Sequence, residues 1–404
     1  MTRDFIAPLL VFVSIPFGIA LHSAVALIVS IILLSLPRRR VVGVFWLHAL
    51  WALPLVITTW NIASTLLNPV NRSESSFEYF VGYLPLSLLP YLFFTRLQWQ
   101  ASWTAKLEKI FSWLCLAWGI VILTQFIWGW SLHHPGGGVD FRSKGFYSHP
   151  LTLAYVALVL LPFSLKILFA TYEKWISWAG FGGILTILYC TQSRACQLVA
   201  VLILAAAILH DLKGKVRLVV IALGLIGTLS IAFTNNPISN RFRLLGSSEN
   251  PDRFSDYPDD RLAFWHVHYE MIKERPLIGH GIHLDHDYRR PYYESLGLGD
   301  FLKQYEAHNQ YLQLATKGGV PAALLFIVWL AVMWRLCRLM PTETRFYWKL
   351  ILFAFATSGL VQNAYMDGEV RHSLTIMISA VLAIYRREGE PVDSFIDIKQ
   401  VKSN

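Results

Sequence analysis

The chain has 404 residues, 55% of them hydrophobic and 15% charged, with a mean hydropathy of +0.46 and a formal net charge of +9. Soluble domains carry roughly a quarter charged residues, so the composition excludes an ordinary soluble enzyme and defines an all-α polytopic membrane protein, a single integral membrane domain over residues 1–404. The basic excess falls where it orients spans, so no nucleic-acid partner is expected and membrane lipids are the surroundings.

Apolar runs of about 16 to 22 residues recur, each near the length a helix needs to cross a core of roughly 30 Å. In chain order the expected spans are 5–20, 22–36, 44–60, 78–94, 110–130, 151–170, 176–191, 195–210, 218–234, 319–334, 350–365 and 373–385, about twelve transmembrane helices. The first could mimic a secretory signal, but a second run follows at once, so it reads as a retained span. Trp128 and Trp130 suit an interfacial aromatic belt. Lys166 is the one charge expected inside a span, close enough to its end to snorkel. Cys115, Cys190, Cys196 and Cys337 lie in or beside apolar runs, without metal-ligand spacing, and read as buried thiols.

If the spans alternate, most loop Lys and Arg fall on one side. The positive-inside rule makes that side cytoplasmic and puts both termini there. The short loops of the other face hold Arg72, Arg142, Lys144, Arg194 and Arg371, which need another reason to be there.

The long polar segment at 235–318 lies on that outer face, as a large helical loop carrying part of a site. About ten basic and about twelve acidic residues nearly cancel within it. It opens with turn-forming residues, and "RLAFWHVHYEMIKE" then reads as a helix ended by Pro276 and the Gly279/Gly281 pair. In "HNQYLQLATKGGVPA" a short helix is expected from His308 to Gly318–Gly319, with Pro321 in the first turn of the next. At that N-terminus the helix dipole disfavours an imidazolium and the free N–H groups welcome an anion, so a base and a phosphate could be neighbours there. A plain cap formed by His308 and Asn309 fits the same spacing.

Arg194, in "YCTQSRACQLVAV", sits at the membrane rim beside Ser193, a candidate N-cap; a snorkelling arginine reads equally well. Arg261 opens a helix against its dipole, a placement that a bound anion would relieve. Arg142 and His149 form a further polar cluster before the sixth span, where an ordinary loop also fits. His266, His268, His280, His283 and His286, with Asp285 and Asp287, lack the HExxH or comparable spacing of a metal centre, so no metal and no cofactor are expected.

Taken in order, "TQSRACQLVA", "RLAFWHVHYEMIKERPLIGHG" and "HNQYLQLATKGGVPA" resemble the O-antigen ligase family, part of a superfamily that includes the O-antigen polymerases. Cys196 stands where many relatives have a small or aromatic residue. The resemblance implies a metal-independent glycosyltransferase of the GT-C-like type in the bacterial inner membrane. Its donor would be a polysaccharide on undecaprenyl diphosphate and its acceptor a sugar hydroxyl of lipid A–core oligosaccharide, on the periplasmic side. On that carry-over His308 is the catalytic base and Arg194 and Arg261 bind the diphosphate; Arg142, His149, Asn309 and Gln310 are further candidate contacts. One candidate base with no second carboxylate nucleophile suggests an inverting reaction. A polymerase of the same superfamily is the nearest alternative, and a lipid-linked glycan transporter a more distant one.

Overall fold

The computed structural model describes residues 2–17, 19–37, 45–68, 76–130, 142–147, 149–170, 174–219, 260–284, 286–298 and 306–385. Among these the regular structure is helical throughout, without a strand. Six helical segments, at 45–67, 76–96, 101–128, 150–170, 194–211 and 310–339, are long and apolar enough to cross a membrane.

Five helices precede the first long one of the central bundle: α1 (Arg3–Ser14), α2 (Ile19–Leu34), α3 (Phe45–Leu67), α4 (Ser76–Tyr83) and α5 (Pro85–Arg96). With 12 residues, α1 rises only about 18 Å, short of a full span. Proline at its first position separates α5 from α4 within one apolar segment. Next come α6 (Thr104–Trp128), α7 (Pro150–Ala170), α8 (Trp175–Cys190) and α9 (Arg194–Asp211). The polar segment contributes α10 (Asp260–Glu274) and α11 (His286–Ser295), and α12 (Gln310–Leu336), α13 (Thr342–Ser358) and α14 (Gly368–Tyr385) complete the chain.

The bundle is organised around α7, which packs against α8, α9, α13 and α14 and has 83% of its apolar window buried. Only 22% of the window of α9 is buried; Leu198, Val201, Leu202 and Leu209 point outward, a face suited to lipid rather than water. Between α6 and α8 the backbones meet closely: a Cβ on Gly119 would stand 2.5 Å from the Cα of Gly183. On the other flank α3 packs against α12 and α5, and α5 against α14.

Several sequence expectations change. The predicted span 350–365 is displaced, because the helix there runs from Thr342 to Ser358. Glu343 in its polar first turn complements the dipole, and the following segment, 359–367, folds back as turns. By contrast, the short helix and the span expected on either side of Gly319 are both present as the two arms of α12, divided by a kink at non-helical Gly319 (φ 74°, ψ 175°). The span expected at 218–234 lies almost wholly outside the described residues, as does Arg72.

Lys166 does not snorkel. Its ammonium pairs with the carboxylate of Glu108 on α6, both side chains nearly enclosed, because a partner within reach inside the bundle removes the need to extend toward water. Arg371 is likewise used internally: it lies 3.9 Å from the Tyr83 ring centroid, and its Nη1 donates to the carbonyls of Tyr365 and Met366.

Candidate active site

The chain approaches the site from three directions. The first is the short turn between α8 and α9. Gln192 there has a positive φ of 51°, and Ser193 is extended before Arg194 begins α9. Ser193 occupies the N-cap position, but its hydroxyl does not cap the helix; it lies toward the Cys196 thiol instead. Arg142 is bound to this turn, its Nε donating to the Thr191 carbonyl at 3.0 Å, while Ser143 N donates to Cys190 O at 3.1 Å. The charges of Arg142 and Arg261 both reach Tyr155 and Cys196, which lie together on α7 and α9. Arg142, Arg194 and the start of α10 therefore share one end of the bundle.

The second direction is α10. Its apolar face forms a small core with α11 from Ala263, Phe264, Val267, Met271, Leu284 and Tyr293. Phe264, one turn beyond Arg261, places its ring 5.9 Å from that of His308. One helix thus links the arginine end to the histidine.

The third is the segment leading into α12. Asn309 is the true N-cap: its Oδ1 accepts from Tyr311 N at 3.0 Å and Leu312 N at 3.2 Å. His308 precedes the helix, in a left-handed conformation with φ 45°. Its Nδ1 lies 3.0 Å from Oε1 of Gln362. An amide oxygen only accepts, so Nδ1 donates in this bond, which in the neutral imidazole places the lone pair on Nε2. Gln310 is wholly buried; its backbone N donates to Gly359 O at 2.6 Å and its Oε1 accepts from Tyr365 N at 2.8 Å, fixing 359–367 against the start of α12. Asn309 and Gln310 thus have structural bonds that position His308. His149 is exposed at the start of α7, where its Nδ1 accepts from Leu151 N at 3.1 Å.

The second and third motifs interlock at the kink. Pro321 has no N–H, and Val320 N turns away to donate to Pro276 O at 2.7 Å, which leaves the Thr316 and Lys317 carbonyls free of their helical partners. His280 N and Gly281 N take those two acceptors, each at 2.8 Å. The loop passes so close that a Cβ on Gly279 would lie 2.5 Å from Gly319 N. The end of α3 completes the joint: Ser64 Oγ donates to Lys317 O, Thr65 Oγ1 accepts from Ile282 N, and Asn68 Nδ2 donates to Gly279 O.

Two histidines of the polar segment serve this joint. His280 is bonded through Nε2 to Met271 O and through Nδ1 to the Tyr288 hydroxyl. The Thr316 hydroxyl donates to Leu312 O and so accepts from Nδ1–H of fully buried His268. Burial, reinforced by the charges of Arg289 and Lys317, pushes the His268 pKa well below its usual value; burial lowers that of His280 as well. Asp367, which caps α14 and accepts from Thr152 Oγ1 at 2.7 Å, has its pKa raised by burial.

Gln362 and the polar residues of α3 were not singled out from sequence. Asn61, Ser64, Thr65 and Asn68 recur at helical spacing within an apolar run, a signal that was there to be read. Gln362, 54 residues from His308, gives no local signal.

The fold and this polar end define a class: a helical membrane protein in which arginines and a histidine from separate stretches of the chain gather at one end of its bundle. The family model described as O-Antigen ligase matches residues 179–327, a segment that contains all three motifs. No curated protein matches the chain.

Proposed function

We propose that the protein is a metal-independent O-antigen ligase. It transfers polysaccharide en bloc from undecaprenyl diphosphate to a sugar hydroxyl of lipid A–core oligosaccharide at the periplasmic face of the inner membrane, with both termini cytoplasmic. The observation that carries this reading is the path from Arg142 and Arg194, across Arg261, along one turn of α10 to Phe264 and His308. The family match supports the reaction class.

In this mechanism Arg194 and Arg261 hold the donor diphosphate, with Arg142 beside them. Guanidinium groups suit the task because negative charge grows on the diphosphate as the anomeric C–O bond breaks. Nε2 of His308 accepts the proton of the acceptor hydroxyl, whose oxygen attacks the anomeric carbon from the face opposite the departing diphosphate. The product has inverted configuration, and the proton leaves His308 afterwards. A positioned base contributes roughly 10²–10⁴-fold to such a step.

Transfer by purified, reconstituted protein with a defined lipid-linked donor and lipid A–core acceptor tests the proposal. His308→Gln, Arg194→Gln and Arg261→Gln should each lower the rate at least about 100-fold while the protein stays monodisperse. A chelator should leave the rate unchanged, and NMR of the new linkage should show inversion. Near-parental transfer by all three variants would remove the mechanism. Extension of a second lipid-linked glycan in place of lipid A–core would assign the polymerase reaction instead.

A further inference from the structure

At the end of α12 remote from His308, up to about 40 Å along the helix, the bundle holds a cavity of about 530 Å³. Arg335 and Arg338 from the end of α12 and Arg345 and Lys349 from α13 line it, together with Trp46 and Trp334. No carboxylate is among its lining residues, and among the described residues no ion pair involves any of the four cations.

Basic residues at span ends orient membrane proteins without forming a site. Here three further features go beyond orientation. Two of the cations are held over indole rings, Arg335 at 4.7 Å from Trp46 and Lys349 at 5.1 Å from Trp334, contacts that fix a cation in place without neutralising it. Arg345 is anchored by Nη2 to the carbonyls of Arg338 and Met340, while its buried Nε has no hydrogen-bond partner. The cavity also continues into an apolar stripe: Val320, Leu324, Ile327, Val328 and Trp334 are exposed along one side of α12 and lead down to it.

We propose that this cavity binds the phosphate headgroup of an anionic phospholipid, with the acyl chains lying along the exposed stripe of α12. Four positive charges answer the phosphates, the two indoles suit the boundary between headgroup and chains, and the stripe accounts for the hydrocarbon. A soluble phosphate would use the cations and leave the stripe without a role.

Native mass spectrometry of the full chain in detergent, titrated separately with cardiolipin, phosphatidylglycerol and phosphatidylcholine, tests this. The anionic lipids should bind at least about tenfold more tightly than phosphatidylcholine, with affinity falling as salt rises. The combined variant Arg335→Gln, Arg338→Gln, Lys349→Gln should lose that preference, and the variant Arg335→Lys, Arg338→Lys should retain most of it. Equal binding of charged and neutral lipids by the parent would overturn the proposal, as would an unchanged preference in the Gln variant. Displacement of the lipid by millimolar inorganic phosphate would make the cavity a soluble-anion site and overturn the lipid assignment. Should the Gln variant not fold, the salt titration of the parent decides: a salt-independent preference refutes the headgroup contact.

Discussion

His308 is held in a backbone conformation that a side-chain-bearing residue rarely adopts, at a cost on the order of 1–3 kcal/mol. The bonds around it fix that conformation: Asn309 caps the helix behind it and Gln310 ties the same turn to Gly359 and Tyr365. These bonds also set Gln362 opposite Nδ1. On the proposed mechanism Gln362 is a positioning residue, keeping the lone pair on Nε2. Gln362→Met should therefore lower kcat by roughly 10- to 100-fold with KM little changed, part of what a positioned base contributes. Gln362→Glu, which keeps an acceptor at Nδ1, should be less impaired. Steady-state transfer assays decide; a Gln362→Met protein as fast as the parent would remove the link. Gln192, the other non-glycine described with a positive φ, stands two residues before Arg194, so both strained positions border candidate site residues.

At the scale of elements, α10 was legible because its apolar residues recur at helical spacing, and the kink was legible because glycine and proline mark it in the sequence. Other features were not. Hydropathy joined 359–365 to the preceding span because leucine, valine and alanine there look apolar, whereas backbone bonds to Gln310 and Arg371 hold that stretch as turns. The proximity of Arg142 to the α8–α9 turn rests on a contact across 49 residues that no local pattern encodes. Docking of α10 on α12 has a pH signature. The folded pKa values of His268 and His280 lie below the unfolded value of about 6.5, so below that pH the unfolded chain binds more protons and stability falls. Above it both states are neutral and the term vanishes. Protection of the amides across residues 260–284, corrected for the intrinsic slowing of exchange as pH falls, should decrease between pH 7 and pH 5, and His268→Gln should flatten the trend. Protection independent of pH over that range would show that the imidazoles do not govern docking.

Across the whole molecule, the Lys166–Glu108 pair joins α7 to α6 inside an apolar bundle. Removing one partner strands a buried charge, so Lys166→Met should cost roughly 3–5 kcal/mol, while the double variant Lys166→Met, Glu108→Leu should recover most of it. Thermal unfolding in detergent measures both; a harmless single variant would mean that water reaches the remaining carboxylate. The broad plan of the bundle follows from composition and apolar runs, but the central place of α7 does not, since its hydropathy resembles that of spans at the periphery.

The interlock at the α12 kink also constrains how such a protein can be rebuilt. Residues 276–282, residues 316–321 and the polar end of α3 satisfy one another's backbone groups, so none of the three is a complete module alone. A chimaera that imports the outer helices from a relative would have to carry all three stretches as one cassette, although the end of α3 lies more than 200 positions before the other two.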